Sequence, residues 1–160
     1  MKNGKDLEIE QMIEKYRTTV YGVALTHTRT KYDADDVFQD VFVALWKSRP
    51  RFRDSEHEKA WLIRTTLNLC KKHSNASIWK RAVPISEAEN EQFIFSQGRE
   101  NDVYVAIRQM TPKLRTVIYL YYFEEMSVRE IGRLLHVREG TVRMQLTRGR
   151  DKLREMLKRV

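Results

Sequence analysis

The sequence predicts an all-α protein, two small helical domains joined by a flexible linker. Three observations carry that expectation. Only three prolines and six glycines interrupt 160 residues. Apolar residues recur at helical spacing along most of the chain. A polar stretch holding a proline and three spaced glutamates separates two such regions. The expected boundaries are 1–75 for the first domain, 76–100 for the linker and 101–160 for the second domain. A hydrophobic fraction of 41% supports packed cores, and this length fits one large domain or two small ones.

In the first domain, Leu7, Met12, Ile13, Tyr16, Val20, Val23 and Ala24 make an apolar stripe through a helix ending near Thr28. Asp33 is a good N-cap for a second helix, with Asp35 and Asp36 at the positive end of its dipole. That helix carries Val37, Val41, Ala44 and Leu45 on one side and Phe38, Phe42 and Trp46 on a neighbouring line. It should stop at Arg49-Pro50, because a residue before proline avoids the α region. A polar loop from Arg51 to Glu58 precedes a third helix, from about Glu58 to His73. Its expected inward positions are Trp61, Leu62, Thr65, Leu69 and Cys70. Three such helices suit one small bundle.

The linker allows at most a short helical piece around Glu87 to Phe95. The second domain opens with Asn101 as a cap, then Val103, Val105, Ala106 and Ile107. Thr111-Pro112, a cap plus a proline at the first helical position, starts another helix, with Leu114, Val117, Ile118, Tyr121 and Tyr122 as its apolar face. Ser127 and Glu130 form a capping box ahead of Val128, Ile131, Leu134 and Leu135. His136-Val137-Arg138 breaks the pattern, and a longer helix follows from Glu139, with Val142, Leu146, Leu153 and Leu157 on one stripe. Arg138, Arg143, Arg148, Arg150, Lys152 and Arg154 lie mostly off that stripe. A short capped helix, a tight turn and an Arg-rich helix make a helix-turn-helix, whose second helix enters the DNA major groove.

Charge agrees. The net charge is +8, and residues 101–160 hold 13 Lys/Arg against 7 Asp/Glu. Most of the basic excess therefore surrounds the suspected reading helix, as a DNA footprint requires. The single Cys70 excludes an internal disulfide and suits a reducing cytoplasm. No apolar run approaches membrane-spanning length, and MKNGKDLEIEQ lacks the apolar core of a signal peptide, so no membrane insertion is expected.

Taken with their order, these stretches resemble an extracytoplasmic-function (ECF) sigma factor of the sigma-70 family, a small initiation subunit of bacterial RNA polymerase. The matching residues are Asp33 to Phe42, then Ala60-Trp61-Leu62-Ile63-Arg64-Thr65 with Asn68. The third match runs from Ser127 to Gly132 and on through Glu139-Gly140-Thr141-Val142-Arg143 to Arg148-Gly149-Arg150. The resemblance implies that the first domain binds the β′ clamp helices of core polymerase and melts the −10 element. The second would bind the β flap and read the −35 element.

Carried over residue by residue, Asp36, Gln39 and Asp40 face the clamp. The loop residues Phe52, Arg53, Asp54, Ser55 and Glu56, with Asn68, Lys71 and Lys72, match the −10 site. Taking a base out of the stack costs a few kcal/mol, recovered through a pocket and edge hydrogen bonds. Trp61 matches a family tryptophan, but burial in the core is the better reading of it. For the −35 element, Arg143, Thr147 and Arg148 match base-facing positions, while Arg138, Thr141, Arg150 and Lys152 suit phosphates. Two features depart from the family pattern. The loop is acidic, with Asp54, Glu56 and Glu58, and His136 stands where glycine is common.

The resemblance further implies promoter DNA and core polymerase as partners, an anti-sigma factor covering the DNA-binding surfaces, no cofactor and a cytoplasmic location. Glu87, Glu89 and Glu91 suit either a place in the RNA path or a plain solubilising linker. A regulator acting without polymerase shares the helix-turn-helix, but gives no reason for the Asp33 to Phe42 stretch. An enzyme is disfavoured, because the carboxylates sit at helix starts and the four histidines show no ligand spacing.

Overall fold

The computed structural model describes residues 3–75 and 99–158. Regular structure among them is entirely helical: α1 (Gly4–His27), α2 (Lys31–Ser48), α3 (Ser55–Asn75), α4 (Arg99–Arg108), α5 (Pro112–Tyr122), α6 (Val128–Leu135) and α7 (Glu139–Leu157). The chain divides into two units, Met1–Pro84 and Ile85–Val160. The helical piece expected near Glu87 to Phe95, and with it Glu87, Glu89 and Glu91, lies outside the described residues.

In the first unit each helix packs on the other two. Tyr16, Val20, Val23 and Ala24 of α1 meet Val37, Val41, Phe42 and Leu45 of α2 and Leu62, Ile63 and Cys70 of α3, all buried. Leu7, expected in the stripe, is 51% exposed.

Two helix starts differ from expectation because a different group caps each, and α2 stops at Arg49-Pro50 as expected but with another backbone conformation. Thr30, not Asp33, caps α2: its hydroxyl accepts the Asp33 amide at 3.1 Å, so the helix starts at Lys31 and Asp33 falls in its first turn. Asp54 caps α3 by accepting the His57 amide at 2.8 Å, so the polar loop is shorter and Ser55 to Glu58 are helical. Arg49 ends α2 in the left-handed region (φ 43°, ψ 57°) rather than extended. Its amide closes the last turn on Leu45 O at 2.9 Å, and its guanidinium lies 3.5 Å from Asp6 and over the Trp46 ring. The inward face of α3 is also rotated. Leu62, Ile63, Thr66 and Cys70 are buried, whereas Trp61, Thr65 and Leu69 are only half-buried.

In the second unit α4 begins at Arg99, so Asn101 lies inside the helix rather than capping it. Thr111 and Pro112 open α5 as expected, although the Thr111 hydroxyl makes no capping bond. Arg115 Nη2 donates to Arg108 O at 3.0 Å and Met110 O at 2.9 Å, satisfying carbonyls at the end of α4. The buried face of α5 is Val117, Ile118, Tyr119 and Leu120, and Tyr122 instead turns outward at 47% exposure. Ser127 and Glu130 form the capping box reciprocally, at 3.1 and 3.2 Å.

His136 takes the left-handed conformation (φ 57°) that closes α6, and the Val137 amide returns to Gly132 O at 3.0 Å. A Cβ at Gly132 would stand 2.9 Å from Val137 O, so the turn needs glycine there. Gly149 is buried where α7 crosses α5. A Cβ there would lie 2.6 Å from Ile118 Cδ1 and closer still to Cγ1. The Gly149→Ala variant gains about 1 kcal/mol of helix propensity but overpacks a filled core, which costs about 1–3 kcal/mol. A lower urea midpoint for the C-terminal unit is expected, followed through the fluorescence or exchange of residues in that unit. An unchanged midpoint would show that α7 does not need this close approach.

Candidate nucleic-acid interface

The buried stripe of α7 is Val142, Leu146 and Gly149. Helical geometry puts Met144 and Asp151 on the opposite side, with Thr147 and Arg148 one turn beyond Met144. Arg143, Met144, Thr147, Arg148 and Lys152 are all exposed, and Arg138 is exposed at the N-cap. Thr141 is half-buried. The Thr147 hydroxyl donates back to Arg143 O at 3.1 Å. This settles its polar end within the helix and leaves the methyl for an apolar contact.

Met144, 47% exposed at the middle of this face, went unnoticed in the sequence. Its signal was available: an apolar residue diametrically opposite the core stripe. Gly140, one turn earlier, has open space where a Cβ would be. Arg150 differs from its neighbours. Its guanidinium hydrogen-bonds the Tyr122 hydroxyl and lies 5.7 and 5.8 Å from the Tyr121 and Tyr122 rings. The bond to Tyr122 raises the Arg150 pKa further, so the charge is fixed in place.

In the first unit the loop before α3 is organised by its own side chains. Phe52 is half-buried and packs edge-on against His57 (5.3 Å) and Trp61 (6.0 Å). The Arg53 amide donates to His57 Nδ1 at 3.2 Å. Asp54 is engaged as the cap. Glu58 accepts from the Tyr16 hydroxyl at 2.8 Å and pairs with Lys15 at 3.5 Å, while Ser55 accepts from both of those donors. Glu56 is exposed.

Burial, then the hydrogen bond to Glu58, pushes the Tyr16 phenol up, so it remains a protonated donor. Arg64, Asn68, Lys71 and Lys72 are exposed along α3 at spacings that place them on one face, continuing the side on which Trp61 sits. Arg64 joins this strip although the sequence did not single it out; its place one turn before Asn68 was the available signal.

The outward face of α2 holds Asp36, Gln39 and Asp40, all exposed, together with Tyr32 (74%), Val43 (45%) and Trp46 (51%). The three large side chains were missed as a group because the sequence sets Trp46 on one line with Phe38 and Phe42 rather than with Tyr32 and Val43. Arg49 over the Trp46 ring and its pairing to Asp6 hold that indole outward. Among the described residues no group of His, Cys, Asp or Glu is placed to hold a metal, and no helix is long and apolar enough to cross a membrane.

Comparison with known proteins falls on these same two units. Residues 12–77 match the family model for sigma-70 region 2, and residues 100–153 match that for sigma-70 region 4. Among curated relatives, ECF RNA polymerase sigma factor SigE of Mycolicibacterium smegmatis is 27% identical over 92% of this chain and 61% of its own length. SigW of Bacillus subtilis is 24% identical over 99% of this chain and 93% of its own.

Two solved structures share the fold. One is CnrH in complex with the cytosolic domain of CnrY (TM-score 0.72, 23% identity, 97% of this chain and 90% of that one). The other is the sigma factor RpoE from Bartonella quintana in complex with the anti-sigma factor NepR (TM-score 0.74, 19% identity, 94% and 97%). With a region 2 match on the first unit, a region 4 match on the second and ECF factors as relatives across both, the chain belongs to the ECF group of the sigma-70 family.

Proposed function

We propose that this chain directs core RNA polymerase to promoters. In this reading the C-terminal unit reads the −35 element and the N-terminal unit captures the unpaired −10 strand while gripping the polymerase clamp. That it acts as a transcription-initiation sigma factor follows from its family membership. The observation that supports the division of labour is the outward side of α7, where Arg143, Met144, Thr147 and Arg148 stand exposed above a fully buried stripe. Arginine pairs bidentately with guanine, and the Thr147 methyl and Met144 thioether suit thymine methyl groups. Arg138 and Lys152 flank that face for phosphates. Arg150, held by its two tyrosines, serves as a fixed positive charge.

The α2 face, acidic in the middle with Tyr32, Val43 and Trp46 around it, fits a partner offering basic and apolar side chains together, as the clamp helices would. Charge complementarity there sets orientation, and the exposed indole supplies the apolar area. The chemistry of transcription belongs to polymerase; this chain contributes position and strand capture, acts in the cytoplasm and needs no cofactor. An anti-sigma partner is part of the proposal, since related folds are found in complex with such proteins.

Reconstitution with bacterial core polymerase, followed by promoter selection and start-site sequencing, tests the whole. A chain that binds duplex DNA but never co-elutes with core polymerase would instead be a free-standing regulator. Two substitutions test the parts. Trp46→Ala should weaken core binding by about 2 kcal/mol or more, roughly thirtyfold, if the indole is an interface hot spot, and a titration with labelled core measures it. Arg148→Ala should cost about 1–3 kcal/mol of −35 discrimination. Binding assays over single-base promoter variants would refute that assignment if every base kept its rank and spacing.

A further inference from the structure

The acidity of the segment around the start of α3, with Asp54, Glu56 and Glu58, is unusual for a strand-capturing site, and its side chains show how it is handled. Of its three carboxylates, Asp54 accepts the His57 amide and Glu58 accepts from Tyr16 and Lys15. Tyr16 and Lys15 are consecutive residues of α1, reaching across to the point where the loop becomes helix. Tyr16 is 5% exposed, and its one hydroxyl hydrogen, given mainly to Glu58, is shared with Ser55 O at 3.3 Å. Lys15 reaches Ser55 Oγ at 3.1 Å. The Glu58 side chain is left 23% exposed, whereas that of Lys15 is 54% exposed. An exposed lysine at 3.5 Å holds a carboxylate weakly. The bond from the largely buried phenol, at 2.8 Å, is the one that fixes it.

We infer that Tyr16, seconded by Lys15, is a positioning residue for strand capture: it turns the Glu58 carboxylate into the fold and pins Ser55, so that the loop meets DNA phosphates with less negative charge. This rests on the −10 assignment proposed above. It names a device on a helix outside the strand-capturing segment, acting through Glu58 rather than touching the nucleic acid. With the phenol hydroxyl gone, Glu58 keeps only the exposed Lys15 and can swing outward toward the approaching backbone, where like charges repel. That repulsion weakens as salt screens it.

The test uses holoenzyme reconstituted from the full chain and bacterial core polymerase, titrated with a fluorescent single strand carrying a −10 sequence obtained by promoter selection. Tyr16→Phe keeps the buried ring and should weaken binding about two- to fivefold, the scale of one exposed like-charge interaction. The defect should shrink at higher salt. The double variant Tyr16→Phe/Glu58→Gln removes the freed charge and should recover most of the affinity.

Wild-type binding by Tyr16→Phe would overturn the inference. So would a defect that the added Glu58→Gln fails to relieve, since a purely mechanical tether would be lost in both variants. Wild-type holoenzyme with no preference for the −10 strand would fail the −10 assignment itself and this inference with it.

Discussion

The helix α7 buries one side and keeps the other bare, and its approach to α5 at Gly149 is what enforces this division. The glycine lets the helix settle onto Ile118, and Val142 and Leu146 extend the contact along the same stripe. Once that seat is fixed, the orientation of every other residue on α7 is fixed too. The bonded turn before it, with left-handed His136 and the Val137 amide on Gly132 O, sets where the helix begins. The reading face is thus a by-product of core packing, with no side chain on it held by the interior.

The first unit solves an electrostatic problem instead. Acidic residues stabilise helix starts through the dipole, but the same residues are unwelcome where a polyanion must approach. Asp33, in the first turn of α2, lies 3.6 Å from His73 at the end of α3. Asp54 and Glu58 are both engaged near the start of α3, which leaves Arg51, Arg53, Arg64, Lys71 and Lys72 among the exposed groups of that region. On α2 the opposite arrangement holds: Asp36 and Asp40 stay exposed beside an exposed indole. One three-helix bundle therefore presents an acidic, partly apolar side and a basic side.

Much of this was legible in the amino-acid order. The capping box at Ser127, the proline that opens α5 and the left-handed tolerance of His136 depend on contacts a few residues apart, and local sequence specifies such contacts. Val142 and Leu146 of the buried stripe of α7 followed from spacing, whereas Leu153 is half-buried, Leu157 is exposed and Gly149 takes the remaining buried place. What was not legible depended on choices between equivalent local partners or on tertiary neighbours. Thr30 and Asp33 are both competent caps, as are Asp54 and residues after it, and only packing selects between them. The inward side of α3 moved from Thr65 to Thr66 because α1 and α2 together decide which stripe they cover. Trp46 shares a periodic line with Phe38 and Phe42, yet it is exposed while Phe42 is buried, and Arg49, in a backbone conformation that the following proline argued against, lies over its ring. The engagement of Glu58 by Tyr16 spans 42 positions of sequence, beyond any local pattern.

Gly140 stands apart from Gly132 and Gly149. Gly132 and Gly149 sit where a methyl group would collide; at Gly140 nothing lies within 4 Å. Near the start of α7 such a residue costs about 1 kcal/mol of helical stability relative to alanine, and no neighbour in the fold requires it. At that point of α7 the helix surface is bare backbone, open to solvent on the exposed side of the fold.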